Sequence, residues 1–318
     1  MKALQGSEGR PTLIECETPN CEAGQVRIRV VAAGLNRADL LQAAGLYPPP
    51  PGVTDVLGLE CAGVISEVSE RSAWKVGDRV CALLAGGGMA EEVCVDERHI
   101  LPVPEGLSLL EAAAIPEVYA TAWLNIFQLG QVQPGEKVLI HAGASGVGSA
   151  AIQLCKAFAS PCWVSVGSAE RLAYCVDLGA EGGVVRGDNI EGLHDFAPFD
   201  VILDPVGANY AAQNLKMLAM EGRWVNIGLM GGRRAELDLA QLLGKRIKLI
   251  GSTLRSRSDD FKGQLMAQLA EKAWPLFTQG KLLAQVDEVF AWDDADAAFA
   301  RLASNQVNGK VVLHISEE

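Results

Sequence analysis

Apolar and polar residues alternate along the first part of the chain in the pattern of a half-buried β-strand. The clearest case is residues 26–31, where valine and isoleucine alternate with arginine at a period of two. Glycine and proline recur from Gly34 to Pro104 and divide this region into short segments, which favours strands joined by turns. The pattern predicts a compact β-rich module over residues 1–120.

The pattern changes at about Glu136, where short apolar runs begin to alternate with segments of helical periodicity. The predicted strands are 137–141, 163–166, 200–203, 224–227 and 247–250, and the predicted helices begin after a glycine-rich turn near residue 146 and include 169–178 and 210–218. Nearly continuous apolar strands separated by helices are typical of a parallel sheet covered on both faces. We therefore predict an α/β fold with a doubly wound parallel-sheet (Rossmann) domain over 121–259.

The last part of the chain returns to a mixed pattern. It predicts one helix over 261–277 and a closing strand over 310–315. We expect residues from about 260 to 318 to complete the first module.

Charge and apolar segments restrict the classes of partner. The 318 residues include 39 acidic and 27 basic side chains, which gives a formal net charge of −12. This charge disfavours nucleic acid and anionic lipid as partners, so we expect a small molecule. No apolar run approaches the ~20 residues of a membrane span, and the first residues lack the apolar core of a secretory signal. A cytoplasmic protein is expected.

The eight cysteines and four histidines are scattered along the chain. No C-x2-C pair occurs, although paired ligands of this kind are typical of structural zinc sites. A chain of this length builds its own core and does not need disulfide bonds. We expect no bound metal and buried cysteine thiols.

The glycine-rich turn is the strongest local signal for chemistry. It follows the predicted strand 137–141 and reads Gly143, Ala144, Ser145, Gly146, Val147 and Gly148. This matches the dinucleotide pattern G-x-G-x-x-G with serine at the middle position. In that pattern the backbone N–H groups and the helix dipole bind a pyrophosphate. Because the turn lies between a strand and a helix, it predicts nucleotide binding.

The end of the next strand indicates which nucleotide is bound. A site that prefers NAD has an acidic residue there, which binds the ribose 2′-hydroxyl and would repel a 2′-phosphate. Here the strand ends at Gly167 and Ser168, and Arg171 follows one helical turn later. Ser168 and Arg171 favour NADPH, although they are also compatible with an ordinary helix cap and a solvated charge. Glu170 is discordant unless its side chain points away.

Four consecutive prolines follow Tyr47. Proline fixes φ and lacks an N–H group, so this segment is neither helix nor central strand. The sequence predicts a stiff surface loop. Such a loop either holds Tyr47 in place for a function or only joins two elements.

Several motifs occur together in the order found in one family. They are LNRADLLQ, YPPPPG, LGLE, LLAGGGMAE, AAAIPEVYATAW, VLIHAGASGVGSAAIQL, GRWVNIGLMGG, LRSRS and NGKVVL. Across nearly its whole length the chain resembles the zinc-independent quinone oxidoreductases of the medium-chain dehydrogenase/reductase superfamily, closest to the p53-inducible quinone oxidoreductase-like group. The resemblance implies that the β-rich module is a GroES-like catalytic domain.

The resemblance also shows a departure from the zinc-dependent members. Asn36 stands where their pattern has a cysteine ligand, and Leu59 stands where it has a histidine. Metal-assisted polarisation of a carbonyl is therefore not expected. Glu60 and Asp39 remain at this place for ion pairs or hydrogen bonds.

Further site residues are implied by the resemblance. Tyr47 and Ser145 are expected to orient a quinone, with Asn36 and Asp39 completing a polar proton route, although these two fit a structural role equally well. Additional cofactor contacts are expected from a set of residues beyond the glycine turn: Arg186, Gly228, Leu229, Met230, Gly231 and Asn305. A homodimer is implied through strands near 224–229 and 247–252.

These observations predict an NADPH-dependent quinone reductase that transfers hydride without a metal. A quinone or a conjugated enone fits because each accepts hydride while the charge delocalises onto oxygen. Two alternatives stay open: an NADPH-dependent reductase of α,β-unsaturated carbonyls, and an NADPH-binding sensor with low turnover.

Overall fold

A computed structural model of the chain describes residues 1–187 and 190–318. The described chain divides into two compact units. Met1–Ala120 and Leu254–Glu318 form the first, which we call the β-rich unit. Thr121–Thr253 forms the second, which we call the parallel-sheet unit.

The N-terminal segment of the β-rich unit is built mainly from antiparallel strands. It begins with a hairpin of β1 (Lys2–Ser7) and β2 (Arg10–Glu15). The following elements are β3 (Gln25–Gly34), α1 (Arg37–Ala43), β4 (Glu60–Val68), β5 (Arg79–Leu83), β6 (Glu92–Asp96), β7 (Ile100–Pro102) and α2 (Leu109–Ala112). The next helix, α3 (Pro116–Trp123), begins in this unit and ends in the second. Strand β3 shows the predicted alternation, since Val26, Ile28 and Val30 are completely buried.

The parallel-sheet unit alternates strands and helices. A π-helical segment, Leu124–Leu129, precedes β8 (Val138–His141), α4 (Gly146–Ala157), β9 (Cys162–Val166), α5 (Ala169–Leu178), β10 (Gly182–Val185), β11 (Phe199–Asp204), α6 (Ala211–Met217), β12 (Leu218–Asn226), α7 (Leu239–Gly244) and β13 (Lys248–Gly251). The strands are parallel in the order β10-β9-β8-β11-β12-β13. This order reverses direction between β8 and β11, and open α/β sheets bind ligands at such a point, outside the carboxyl ends of the strands.

The C-terminal segment completes the β-rich unit. Its elements are α8 (Asp259–Lys272), α9 (Trp274–Thr278), β14 (Val286–Ala291), α10 (Ala295–Ala303) and β15 (Lys310–His314). Strand β15 pairs with β14 in parallel and with β3 in antiparallel orientation. The resulting sheet has the order β14-β15-β3-β4-β5-β7, with β6 also paired to β3.

The structure divides one predicted helix into two and contains several elements that the pattern does not predict, such as β10, α7, β14 and α10. The single helix expected over 261–277 is instead α8 followed by α9, because Pro275 lies at the start of the second helix and cannot donate an intrahelical hydrogen bond. Strand β10 was not predicted, since its Gly182 and Gly183 give no strand pattern. The predicted α/β class with a parallel sheet is confirmed.

The expectation that all cysteines are free thiols is wrong at two positions. Cys21 and Cys94 form a disulfide with a Cα–Cα distance of 5.3 Å. Cys94 lies on β6, and β6 pairs with the beginning of β3, just after Cys21. The two residues are 73 positions apart in the sequence, so only the strand pairing brings them together. Within the described residues, no helix is long and apolar enough to cross a membrane.

Candidate functional site

The glycine turn after β8 leaves no room for side chains at two of its positions. A Cβ at Gly143 would lie 2.6 Å from Val164 Cγ1, on the neighbouring strand β9. A Cβ at Gly148 would overlap the carbonyl oxygens of Ala142 and Gly143. Gly148 is therefore required for the close approach of α4 to the end of β8, and Gly143 for the close approach of the turn to β9. This is the geometry predicted for a pyrophosphate-binding turn.

Ser145 caps the helix that follows this turn. Its side chain accepts a hydrogen bond of 3.1 Å from the N–H group of Gly148. The first N–H groups of a helix have no intrahelical acceptor, so those of Gly146 and Val147 remain for an anion. The hydroxyl proton of Ser145 is also still available to donate. Ala144, by contrast, is buried and offers only its backbone.

Two guanidinium groups lie together at the carboxyl end of β9. A Cβ built on Gly167 would be 3.4 Å from Arg171 Nη1 and 3.8 Å from Arg186 Nη2. Ser168 caps α5 by accepting a hydrogen bond of 3.3 Å from the N–H group of Arg171. Glu170 is exposed. The structure thus brings Ser168, Arg171 and Arg186 to one point, and two cations beside a helix N-terminus favour an anion.

The loop after β12 packs against the loop after β11. The N–H groups of Met230 and Gly231 donate to the carbonyl oxygens of Pro205 and Val206, at 3.2 and 2.7 Å. A Cβ at Gly228 would lie 2.7 Å from the oxygen of Pro205. The predicted contacts Gly228, Leu229, Met230 and Gly231 therefore form a short loop fixed through its backbone, in which Leu229 and Met230 are exposed.

A buried carboxylate fixes the loop after β11. Asp204, at the end of β11, is completely buried and accepts hydrogen bonds from the backbone N–H groups of Val206 and Gly207, at 2.7 and 3.0 Å. Its second oxygen accepts from Asn214 Nδ2 and Trp224 Nε1, at 3.1 and 2.9 Å. Because four donors converge on it, the carboxylate fixes the start of the 205–207 loop.

His141, at the end of β8, extends this buried network. Asn214 donates to Asp204 through its amide nitrogen, so its Oδ1 atom accepts from His141 Nε2 at 2.8 Å. The hydroxyl of Ser165 is 2.8 Å from Nδ1 and serves as the donor to it. Burial lowers the pKa of His141, while the charge of Asp204 acts in the opposite direction. The imidazole is therefore neutral at pH 7, with its proton on Nε2.

A second buried polar cluster lies in the β-rich unit and includes Asn36. The ammonium group of Lys310 on β15 is 2.5 Å from Glu60 Oε1 and 2.8 Å from Asn36 Oδ1. Asn36 Nδ2 donates to the same carboxylate oxygen at 2.9 Å, and the N–H group of Glu117 donates to the other. Glu60 and Lys310 thus form a buried ion pair, and the side-chain polar atoms of Asn36 bond both of its members.

Asp39 supports the same region from α1. It is completely buried, and its two oxygens accept from the N–H groups of Asn36 and Gly58, at 2.8 and 3.0 Å. Burial raises the pKa of Asp39 to about 6, against the opposing effects of these hydrogen bonds and of Lys310. The carboxyl therefore both caps a helix and can exchange a proton near neutral pH.

Tyr47 lies in the loop between α1 and β4, where the four prolines after it form neither helix nor strand, as predicted. Its side chain is half-buried, and the guanidinium carbon of Arg255 is 5.4 Å from its ring centroid. Burial raises the pKa of the phenol, the charge of Arg255 lowers it, and Glu117 raises it. The remaining predicted residue, Asn305, lies just after α10, where its Oδ1 accepts a hydrogen bond of 2.5 Å from Arg37.

The sequence alone did not single out Lys310, Arg255, Asp204 or His141 as site residues. A signal existed for Lys310, because it opens an otherwise apolar strand and a lysine there must find a buried anion. Arg255 lies in the LRSRS motif without any local pattern to distinguish it from Arg257.

Comparison with known proteins identifies the two units. Residues 22–105 match the alcohol dehydrogenase GroES-like domain, and residues 146–271 match the zinc-binding dehydrogenase family. The quinone oxidoreductase-like protein 2 of Bos taurus is 31% identical over 98% of this chain and 92% of its own length. The synaptic vesicle membrane protein VAT-1 homolog of Danio rerio is also 31% identical, and the chain spans 66% of its length. The crystal structure of CurK enoyl reductase, 30% identical, superposes with a TM-score of 0.86 over 99% of both chains.

The side chains present do not fit the zinc ion that the second family description names. Asn36 and Glu60 bind the ammonium of Lys310, a cation that would repel a metal, and Leu59 has no ligand atom. Among residues 1–187 and 190–318, no group of three or more histidine, cysteine, aspartate or glutamate side chains is arranged around a common metal position.

The predicted fold class is confirmed by the parallel sheet and by the match to the GroES-like domain. The predicted family is confirmed by the two family matches and by the relative that aligns over nearly its full length. The chain belongs to the medium-chain dehydrogenase/reductase superfamily, as an oxidoreductase that uses a nicotinamide cofactor.

Proposed function

We propose that the protein is an NADPH-dependent quinone reductase that transfers hydride without a metal. The observation that carries the cofactor choice is the pair of guanidinium groups, Arg171 and Arg186, at the end of β9. Charged donors of this kind suit the 2′-phosphate that distinguishes NADPH from NADH. The pyrophosphate is assigned to the turn from Gly143 to Gly148, and the nicotinamide to the loop from Gly228 to Gly231, with Asn305 as a further contact.

When bound, NADPH supplies a hydride, with its two electrons, and leaves as NADP⁺. A quinone is a suitable acceptor because it becomes an anion whose charge spreads onto oxygen. One proton must then reach that oxygen. We assign the donor to Tyr47, whose hydroxyl makes no hydrogen bond within the described residues. The Ser145 hydroxyl is a second possible donor, and Asn36 and Asp39 are assigned to holding α1 in place.

The cofactor assignment is tested by Arg171→Glu. We expect the dissociation constant of NADPH to rise at least tenfold while that of NADH stays nearly unchanged, because the new carboxylate repels only the extra phosphate. Fluorescence titration with both cofactors measures the two constants. Arg10→Glu, the same charge reversal at an exposed position of the other unit, is the control. Equal weakening of both cofactors by Arg171→Glu would refute the phosphate site.

The role of Tyr47 is tested by Tyr47→Phe. We expect kcat/KM for quinone to fall about tenfold or more, since the hydroxyl that supplies the proton is lost while the ring remains. NADPH affinity should be unchanged. Turnover equal to that of the unsubstituted protein would remove Tyr47 from the mechanism.

Reduction of α,β-unsaturated carbonyls is the second candidate function. It is supported by the similarity to the CurK enoyl reductase. An enone, like a quinone, accepts hydride at carbon while the negative charge delocalises onto oxygen. Loss of NADPH absorbance against a panel of ortho-quinones, para-quinones and short enones separates the two functions. No consumption with any acceptor, while NADPH still binds, would instead support a sensor with low turnover.

We also propose a homodimer formed through the edge strand β13. This strand ends the six-stranded sheet, and exposed leucines lie on it and on the preceding helix α7: Leu249, Leu239 and Leu243. An exposed strand edge with apolar side chains is a suitable surface for pairing with a second copy. Light scattering coupled to size-exclusion chromatography should give twice the 33.7 kDa mass of one chain. A single-chain mass that persists at micromolar concentration would contradict this proposal.

A further inference from the structure

Arg255 is a buried cation to which the proposed chemistry assigns no role. It follows β13 in the sequence but belongs to the β-rich unit, and only 6% of it is exposed. Its Nε atom donates to the carbonyl oxygen of Ala85 at 2.6 Å, and Nη2 donates to Gln42 Oε1 at 2.7 Å. An arginine held by a fork of hydrogen bonds has a fixed position, so its charge acts on fixed neighbours.

Tyr47 is the side chain that this cation faces. The backbone of Tyr47 is held on both sides, because its N–H group donates to Leu41 at 3.2 Å and its carbonyl oxygen accepts from Arg255 Nη1 at 3.5 Å. The guanidinium carbon also lies 5.4 Å from the ring centroid. Arg255 therefore fixes both the loop and the ring, while the phenol hydroxyl stays free to donate.

The charges around the phenol oppose each other. Burial disfavours the phenolate and raises the pKa of Tyr47; the Arg255 cation lowers it, and Glu117 raises it. Asp39 also interacts with Arg255 and is buried nearby. A half-buried phenol with no cation beside it would be a poor acid, so the cation compensates for the loss of solvent.

We propose that Arg255 is the positioning residue that makes Tyr47 an effective proton donor to the reduced acceptor. This inference rests on the proposed reductase function. After the hydride has been transferred, the O–H bond of Tyr47 breaks and a new O–H bond forms on the acceptor oxygen. The resulting phenolate is stabilised by the guanidinium of Arg255. Tyr47 then recovers its proton from solvent, because its side chain is only half-buried.

The proposal is tested without turnover by titrating Tyr47 directly. The protein has four tyrosines, so uniform 3-fluorotyrosine labelling gives four ¹⁹F signals, and Tyr47→Phe identifies the one from Tyr47. The fluorinated phenol is more acidic, which brings its titration into a pH range that the folded protein tolerates. We expect Arg255→Met to move the Tyr47 midpoint up by about one pH unit, the size expected for loss of a nearby opposite charge.

Three further variants separate electrostatics from damage to the fold. Glu117→Gln should move the midpoint in the opposite direction, because it removes the anion. Arg255→Lys keeps the positive charge, so its Tyr47 midpoint should lie close to that of the unsubstituted protein. Arg257→Met, in the same motif and stacked on Phe261, should leave the midpoint unchanged. A midpoint that Arg255→Met leaves unchanged overturns the inference, whatever Glu117→Gln does.

Turnover measurements complete the test. In Arg255→Met we expect kcat for quinone to fall about tenfold with NADPH affinity unchanged, and the alkaline limb of kcat to move with the Tyr47 midpoint. In a Tyr47→Phe background, Arg255→Met should no longer affect this limb. If Tyr47→Phe abolishes turnover while the Tyr47 midpoint ignores Arg255, the inference fails and the quinone function stands. If Tyr47→Phe leaves turnover intact, the proposed proton donor itself is wrong.

Discussion

The two units stabilise their buried carboxylates in different ways. In the GroES-like unit, Glu60 is matched by the ammonium of Lys310, a full opposite charge. In the parallel-sheet unit, Asp204 accepts four hydrogen bonds from neutral donors, two of them backbone N–H groups. An ion pair fixes the two elements that carry it, here β4 and β15. Backbone donors instead tie a charge to the conformation of a loop.

The two kinds of partner suit the different structural roles of the two carboxylates. The 205–207 loop at the end of β11 needs a defined backbone shape, which Asp204 supplies through neutral donors, and the 228–231 loop is bonded to it through backbone groups. The GroES-like unit must join segments far apart in the chain, since Lys310 lies near the end and Glu60 near the beginning. Both members of the ion pair also bond the side chain of Asn36, so the same contacts hold this residue in place.

The largest effect is expected from breaking the ion pair. Lys310→Met leaves Glu60 buried without its cation and should lower the free energy of unfolding by about 3–5 kcal/mol. Adding Glu60→Gln should recover part of this loss. Urea denaturation measures both variants. The control Arg79→Met breaks the exposed ion pair with Glu318 and should lower the free energy of unfolding by less than about 1 kcal/mol. Equal losses of stability in Lys310→Met and Arg79→Met would show that the burial of the Lys310–Glu60 pair does not matter.

A pH effect of intermediate size is expected from Asp39. Its pKa is about 6 in the folded protein against 3.8 for the free group, so the folded state binds more protons between these values. The associated stability is fully present below pH 4 and is lost as the pH rises to 6, by at most about 3 kcal/mol. The free energy of unfolding is measured for Asp39→Asn and for the unsubstituted protein from pH 4 to 7. As the pH rises, the variant should become more stable relative to the unsubstituted protein, because its amide does not titrate. A difference that stays constant with pH, as expected for the exposed Glu8→Gln control, would contradict the prediction.

The smallest effect is expected from Asp204→Asn. The amide group turns its NH₂ toward two of the four donors, which should lower the free energy of unfolding by about 2 kcal/mol. NADPH affinity should fall as well, because the 205–207 loop, to which the 228–231 loop is bonded, loses part of its anchor. The same substitution at Asp238, an exposed helix cap in the same unit, is the matched control. If both variants lose equal stability and neither weakens NADPH binding, Asp204 has no special role in the loops.

The sequence predicted the parallel-sheet unit well because its signals are local. A buried parallel strand is a short apolar run, and the turn at 143–148 uses glycine wherever two backbones touch. The strands 137–141, 163–166 and 200–203 and the helix 169–178 all appear within about two residues of the predicted positions. Local spacing also placed Ser168 and Arg171 correctly at one helix N-terminus.

The sequence failed where an interaction joins distant segments. Cys21 meets Cys94 because β6 pairs with β3, and neither residue has a local pattern that indicates its partner. Asn36 and Asp39 were expected either to carry protons or to serve as structural hydrogen bonders. Their contacts with Lys310, Glu60 and Gly58 give each a structural partner, and a proton route through them stays a hypothesis.

By itself, the sequence determined the class of fold, the glycine turn and the membership of an oxidoreductase family, because each strand, the turn and each family motif depend on residues close together in the chain. Tertiary structure alone decided that Lys310 lies beside Asn36 and Glu60 and that Arg255 faces Tyr47. The physical reason is that the two kinds of interaction act over different distances along the sequence. Hydrophobic periodicity and backbone turns act over a few residues, whereas a buried charge is balanced by whichever partner the folded chain brings within about 4–6 Å, at any distance along the sequence.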